Sequence, residues 1–196
     1  MCTAGILLVY TFDILHCMNI TLVTGNANKL EEWQQLTAGK ATLDSIDLDI
    51  EELQSDDPLA IVTDKVKKAF KAVGKPVIVE DVSAALEKHG GLPGPFIKYY
   101  MKNIGKDALY QLAGGEGEHA TVSCSAAYYD GTSLITVRGV VHGTVVAPRG
   151  DAYGFNITFV PEGETETFAE MSSEKKNTMS HRALAVQLLL EKLEAL

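Results

Sequence analysis

Apolar positions along this chain change period several times, and each change marks a predicted element. Asn19-Ile20-Thr21-Leu22-Val23-Thr24 is a β-branched run read as a strand, and Gly25-Asn26 ends it. Asn28 is then read as the cap of a helix whose apolar positions are Leu30, Trp33 and Leu36, with Gly39 closing it. Ala41 to Leu48 reads as a second strand, and an acidic segment from Asp47 to Asp57 follows. Pro58 suits the first turn of a helix running through Ile61, Val62, Val66 and Ala69 to Val73. Pro76-Val77-Ile78-Val79 is a compact apolar strand, expected to deliver Glu80-Asp81 at its carboxyl end, where open α/β sheets place ligands.

The middle of the chain changes character. Gly90-Gly91-Leu92-Pro93-Gly94-Pro95 reads as a tight loop without regular structure, before a helix containing Phe96, Ile97, Tyr100 and Met101. Ala120 to Tyr129 and Leu134 to Val146 are β-rich, and Asp130-Gly131 between them predicts a hairpin. A mixed loop spans Tyr153 to Phe159, and the chain closes on an amphipathic helix bearing Leu184, Leu188, Leu189 and Leu193. With no internal repeat and no long linker, the expectation is an α/β fold of two lobes around one cleft. Residues 18–196 are read as a single domain and residues 1–17 as an N-terminal appendage, with Met18 an alternative start. The apolar run Ala4 to Tyr10 is too short to span a bilayer and has no basic flank before it.

Charge narrows the partners. The 196 residues carry 17 Lys+Arg against 26 Asp+Glu, a formal charge of -9. That balance argues against a long nucleic acid, whose binding needs cations to neutralise phosphates. It leaves room for a small polyanion held in a local cationic pocket or through a metal. The three cysteines, Cys2, Cys17 and Cys124, form no C-x-x-C pair, so a reducing interior is expected.

Three segments could carry chemistry. Thr24-Gly25-Asn26-Ala27-Asn28-Lys29 joins a strand to a helix, where unpaired N–H groups, a glycine and a lysine one turn inside make an anion cradle. An ordinary connection with a surface lysine is the alternative. Glu80-Asp81, with Glu51-Glu52 upstream, supplies hard oxygen donors suited to Mg²⁺, and the strand before Asp81 makes it the better placed. Solvated acids are the alternative there. Before the last helix, Lys176, Ser180, His181 and Arg182 could converge on a ligand or form a surface group. No serine or cysteine has a recognisable nucleophile context.

Taken in order, T-G-N-x-x-K, E-D after V-I-V, G-G-L-P-G-P-F-I-K and F-A-E-M-x-x-x-x-K-N-x-x-S-H-R resemble the inosine triphosphate pyrophosphatase family from Ile20 to Leu193. The resemblance implies a long central mixed β-sheet flanked by helices, with two lobes around an active-site cleft. It implies Mg²⁺-dependent hydrolysis of inosine, deoxyinosine and xanthosine triphosphates to the monophosphate and pyrophosphate, by a cytoplasmic homodimer with no nucleic-acid or membrane partner. Carried over by motif, Thr24, Gly25, Asn26, Ala27, Asn28 and Lys29 hold the triphosphate, joined by Lys65, Val82 and Lys98. Glu52 and Asp81 bind the metal, and Asp81 and Lys29 are catalytic. Tyr153, Gly154, Phe155 and Asn156 read the base, and Lys176, His181 and Arg182 close over base and sugar. Asn156 stands where the family usually has aspartate, and Val82 where it has Ser or Thr. These departures imply altered or relaxed base discrimination. The alternatives are a pyrophosphatase for other damaged nucleotides and a catalytically weakened nucleotide-binding or sensing protein.

Overall fold

The computed structural model describes residues 19–196. The readings of residues 1–17, of Met18 as a start, and of Cys2 and Cys17 lie outside the described residues. The elements are β1 (Asn19–Val23), α1 (Ala27–Thr37), β2 (Thr42–Ile46), α2 (Pro58–Val73), β3 (Val77–Leu86), β4 (Pro93–Gly94), α3 (Ile97–Ile104), α4 (Ala108–Ala113), β5 (His119–Tyr129), β6 (Leu134–Val145), β7 (Phe159–Pro161), α5 (Ser173–Met179) and α6 (His181–Glu194).

Among the described residues the strands form one seven-stranded mixed sheet in the order β2-β1-β3-β5-β6-β7, with β4 on the free edge of β3. β1 lies parallel to both neighbours, and the later pairs are antiparallel. The β5–β6 hairpin forms where expected. Asp130 Oδ1 accepts from the backbone N–H groups of Thr132 and Ser133 at 2.8 and 2.7 Å, which closes the turn.

Alternation along β3 sorts its side chains onto two faces. On one face Ile78 joins Ile20, Leu22, Cys124, Ala126 and Val137 beneath Trp33 of α1 and Ala185, Val186, Leu189 and Leu193 of α6. On the other, Val77 and Val79 join Val23 and Ala127 beneath Val62, Val66 and Ala69 of α2. A third cluster gathers Ala84, Leu86, Val122 and Val145 with Ile97, Leu109, Phe155, Phe159 and Phe168. β3, β5 and β6 run through both halves, so two lobes share one sheet.

Several expected boundaries move. β3 does not stop before Glu80 but continues to Leu86, because it pairs with β5 from Val77–Tyr129 to Leu86–Ala120. Glu80 and Asp81 are therefore mid-strand. β2 covers only Thr42 to Ile46, a largely exposed edge. The glycine-proline loop contributes one short strand, since Pro93 and Gly94 pair with Ala85 and Ala84. The buried stripe of α6 excludes Leu188, which is 40% exposed, and uses Val186 and Leu190 instead. α5 adds a short helix that the sequence pattern does not predict; Ser180 ends it and caps α6, its hydroxyl accepting from Ala183 N–H.

The interruption of the β3 edge makes the cleft. β1 pairs with β3 only at Val77 and Ile78, and β4 only at Ala84 and Ala85. Residues 79–83 thus have a strand neighbour on the β5 side alone. β1 ends beside this gap, so a helix N-terminus and the middle of β3 face each other across it.

Candidate active site

One end of the cleft is built from the β1–α1 turn. Asn26, not Asn28, caps α1: its side chain accepts from the N–H groups of Asn28 at 3.0 Å and Lys29 at 3.3 Å. Thr24 Oγ1 accepts from Asn26 N–H, tightening the turn. A Cβ at Gly25 would lie 2.4 Å from Asp47 Oδ1, so a carboxylate already rests against this backbone. That contact is the close anion approach that the glycine permits.

At the centre is Glu80, 2% exposed. Its Oε2 accepts from Trp33 Nε1 at 2.6 Å and Arg182 Nε at 2.8 Å, and its Oε1 from Arg182 Nη2 at 2.8 Å. Lys29 Nζ is 3.0 Å from Oε1, and Cys124 Sγ 3.4 Å from Oε2. Burial would raise the Glu80 pKa, but Arg182 and Lys29 outweigh it and hold the carboxyl well below its usual range. Burial likewise pulls Lys29 down, yet Glu80 leaves its pKa raised. A second carboxylate, Glu32, pairs with Lys176 at 2.6 Å and with Arg182 Nη1. Three of the five Arg182 N–H groups are thus spent on carboxylates, leaving two for a ligand.

Asp81 stands apart from this network because the next residue of a strand points to the other face. It forms no ion pair among the described residues. Burial, with the charge of Glu80 adding to it, raises its pKa against the pull of Lys29 and Lys65. Asp81, Glu52 and Lys98 border one small cavity with Phe96 and Tyr99. Glu52 also pairs with Lys65 at 2.7 Å and with Lys98. Burial depresses the pKa of Lys65 and of Lys98, and the charge of Lys29 adds to the effect on both.

The far end is aromatic. His181 lies between Phe155 and Phe168, its ring centroid 5.8 Å from each. Burial, with Arg182 and Lys176 nearby, pushes its pKa down to about 3, so the imidazole is neutral. Its Nδ1 is buried without a hydrogen-bond partner among the described residues. Asn156 Nδ2 donates to the Tyr153 carbonyl at 3.0 Å, which leaves Oδ1 free to accept. Gly154 has φ 66°, and a Cβ there would approach Met101 Sδ to 3.2 Å.

The neutral His181 has a measurable signature. A folded pKa below the unfolded value of 6.5 means that its contribution to stability is complete above 6.5 and is lost as pH falls toward 3. Between about pH 7 and pH 5, thermal melts of His181→Gln should therefore lose less Tm than those of the wild type. Parallel curves would remove His181 as the source.

The structure brings most of the expected residues to one cleft of about 410 Å³. Thr24, Gly25, Asn26, Asn28 and Lys29 line it at one end, and Lys65, Asp81, Val82 and Lys98 along one side. Tyr153, Gly154, Phe155, Asn156, Lys176, His181 and Arg182 complete it. Ala27 does not line it, and Glu52 borders the adjoining cavity instead. Sequence reasoning missed Glu32 and the role of Glu80. Glu32 sits three residues after Lys29, one helical turn along the same face, and that spacing was the available signal. Five cations against three carboxylates line the cleft, so its charge opposes that of the whole chain.

A family model described as the Ham1 family matches residues 20–192. An inosine triphosphate pyrophosphatase of Yarrowia lipolytica is 41% identical over 177 residues, covering 88% of this chain and 94% of that protein. Its namesake in Schizosaccharomyces pombe is 34% identical over 181 residues, covering 90% and 96%. Among solved structures, a HAM1 protein from Coxiella burnetii aligns with TM-score 0.77 at 24% identity, covering 91% of this chain and 100% of that one. The Staphylococcus aureus Ham1 protein aligns with the same score and identity. At that identity these neighbours speak for the fold alone.

Proposed function

The chain belongs to the Ham1 family, and on that premise we propose that it hydrolyses inosine, deoxyinosine and xanthosine triphosphates to the monophosphate and pyrophosphate. The observation that carries this reading is the family match over residues 20–192. The cleft supports it. Lys29, Lys65 and Lys98 are placed to draw charge from the pyrophosphate leaving group, with the N-terminus of α1 behind them. Asp81, with its raised pKa, is the group to orient and deprotonate the attacking water.

Asp81 and Glu52 fit a divalent cation, for which we take Mg²⁺. Both border one cavity, Asp81 has no ion partner among the described residues, Glu52 would yield its contacts with Lys65 and Lys98 to a cation, and two carboxylates leave places for water and phosphate. Bound there, Mg²⁺ would supply Lewis-acid neutralisation of phosphate charge. A homodimer and a cytoplasmic location belong to the same reading, as does the treatment of residues 18–196 as one catalytic unit. No helix of the described residues is long and apolar enough to cross a membrane.

For the base, the hydrogen bond from Asn156 Nδ2 to Tyr153 leaves an acceptor where the family's aspartate also offers one. That contact favours a retained oxopurine preference over relaxed discrimination. A triphosphate panel, scored by pyrophosphate formed with and without Mg²⁺, tests both. Inosine and xanthosine triphosphates should exceed adenosine triphosphate by on the order of 100-fold in kcat/KM, because the remaining Arg182 donors would face the amino group of adenine and leave buried groups unpaired. Equal turnover would overturn the base assignment. Binding without any pyrophosphate release would favour the nucleotide-sensing alternative.

A further inference from the structure

Glu80 touches both ends of the cleft through one carboxylate. Oε1 serves Lys29, in the first turn of α1, and Arg182, in the first turn of α6. Oε2 serves Arg182 again, together with Trp33 and Cys124. Each oxygen is therefore engaged by at least two donors, and the residue is 2% exposed. No lone pair is left facing solvent for a cation, even though Glu80 adjoins Asp81.

We propose that Glu80 is a positioning residue that holds the phosphate-end lysine and the base-end arginine in register, and that it is not a metal ligand. The inference rests on the reading of the cleft as a nucleoside triphosphate site. Its physical content is preorganisation. Two cations less than a nucleotide's length apart repel, and a shared counter-ion fixes both before substrate arrives. Trp33 stiffens that counter-ion from outside, since it is fully buried and does not line the cleft.

The charge removed by Glu80→Gln is negative, and this separates a positioning role from structural damage. Without it, Lys29 loses its ion partner and Arg182 keeps Glu32 alone, so an inorganic polyanion should bind as well as before or better. A nucleotide that must meet both ends at once should react more slowly. The experiment compares wild type, Glu80→Gln and Trp33→Phe, each first shown to be folded by circular dichroism. In Glu80→Gln, kcat for inosine triphosphate should fall on the order of 100-fold with KM changed by no more than about threefold, the signature of lost orientation. Inorganic tripolyphosphate should compete at least as tightly as in the wild type, and the Mg²⁺ midpoint should move by less than about twofold. Trp33→Phe, which removes a hydrogen bond to Glu80 and no charge, should lower kcat by about fivefold with the same pattern.

Weaker tripolyphosphate binding alongside the lost kcat would make Glu80 a merely structural partner. A tenfold shift in the Mg²⁺ midpoint would make it a metal ligand, and an unchanged kcat would leave it no role. Each of these results overturns the proposal. If Glu80→Gln does not fold, Trp33→Phe decides by the same criteria. If the wild-type chain turns over no triphosphate, the functional reading fails separately. The emission of Trp33, the single tryptophan of the chain, then decides this one. Tripolyphosphate binding at Lys29 should change that emission in the wild type, and an emission indifferent to bound tripolyphosphate would overturn the coupling.

Discussion

Asp81→Asn should abolish pyrophosphate release, lowering kcat by on the order of 1,000-fold or more, while the protein stays folded. The two halves of this expectation have one cause. Asp81 is buried without an ion partner, and burial raises its pKa. A carboxyl whose folded pKa exceeds its unfolded value costs stability wherever it is ionised, so stability falls as pH rises from the unfolded value through the folded one. The neutral amide removes that cost near neutral pH, and Tm should hold steady or rise. The same change removes the group that can take a proton from water and bind a cation. Assay of pyrophosphate formed, beside a thermal melt, reads both effects. Near-wild-type turnover would take Asp81 out of the mechanism, and a lowered Tm would show that its charge is structurally satisfied.

Gly139→Ala should destabilise the protein and disable the base end together. A Cβ at this position would lie 2.2 Å from the His181 carbonyl oxygen and 2.5 Å from Ala185 N, both backbone atoms that cannot swing aside. Gly139 lies on β6 opposite Cys124, directly beneath the first turn of α6. Its missing side chain is what lets that turn settle on the sheet and bring Arg182 to Glu80. Overpacking of this kind costs about 2–3 kcal/mol, equivalent to a fall in Tm of roughly 4–12 °C for a chain of this size. Displacing α6 by even about 1 Å should cost on the order of 100-fold in kcat/KM. Val140→Ala, at a neighbouring exposed position, is the control. A Gly139→Ala protein with normal Tm and turnover would mean that α6 is not held by this contact.

Much of the architecture was legible because it depends on local pattern. The β-branched run at Ile20 to Val23, Pro58 opening α2 and Asp130-Gly131 between two apolar runs each act within a few residues, and the elements form where expected. The departures arise where long-range pairing overrides local signals. β3 runs past Glu80 because β5 pairs along its whole length. Asn26 displaces Asn28 as cap because Thr24 closes the turn two residues earlier. Leu188 looks like a core residue by type, but the α6 face that meets the sheet is chosen by Gly139, on another element.

The candidate site divides in the same way. The order of its motifs and the residue types that reach the cleft are properties of the sequence by itself, and so is the net charge of -9 that they locally reverse. Period-two alternation even requires Glu80 and Asp81 to face opposite sides of a strand. What waits on each side is decided only by tertiary structure. Glu80 meets Arg182, 102 residues away, and is consumed as a counter-ion. Asp81 meets a partly open cavity and keeps its carboxylate available. Two adjacent acids of similar chemistry thus take different roles, because a carboxylate's protonation and partners are set by the charges and burial that packing brings within a few ångströms.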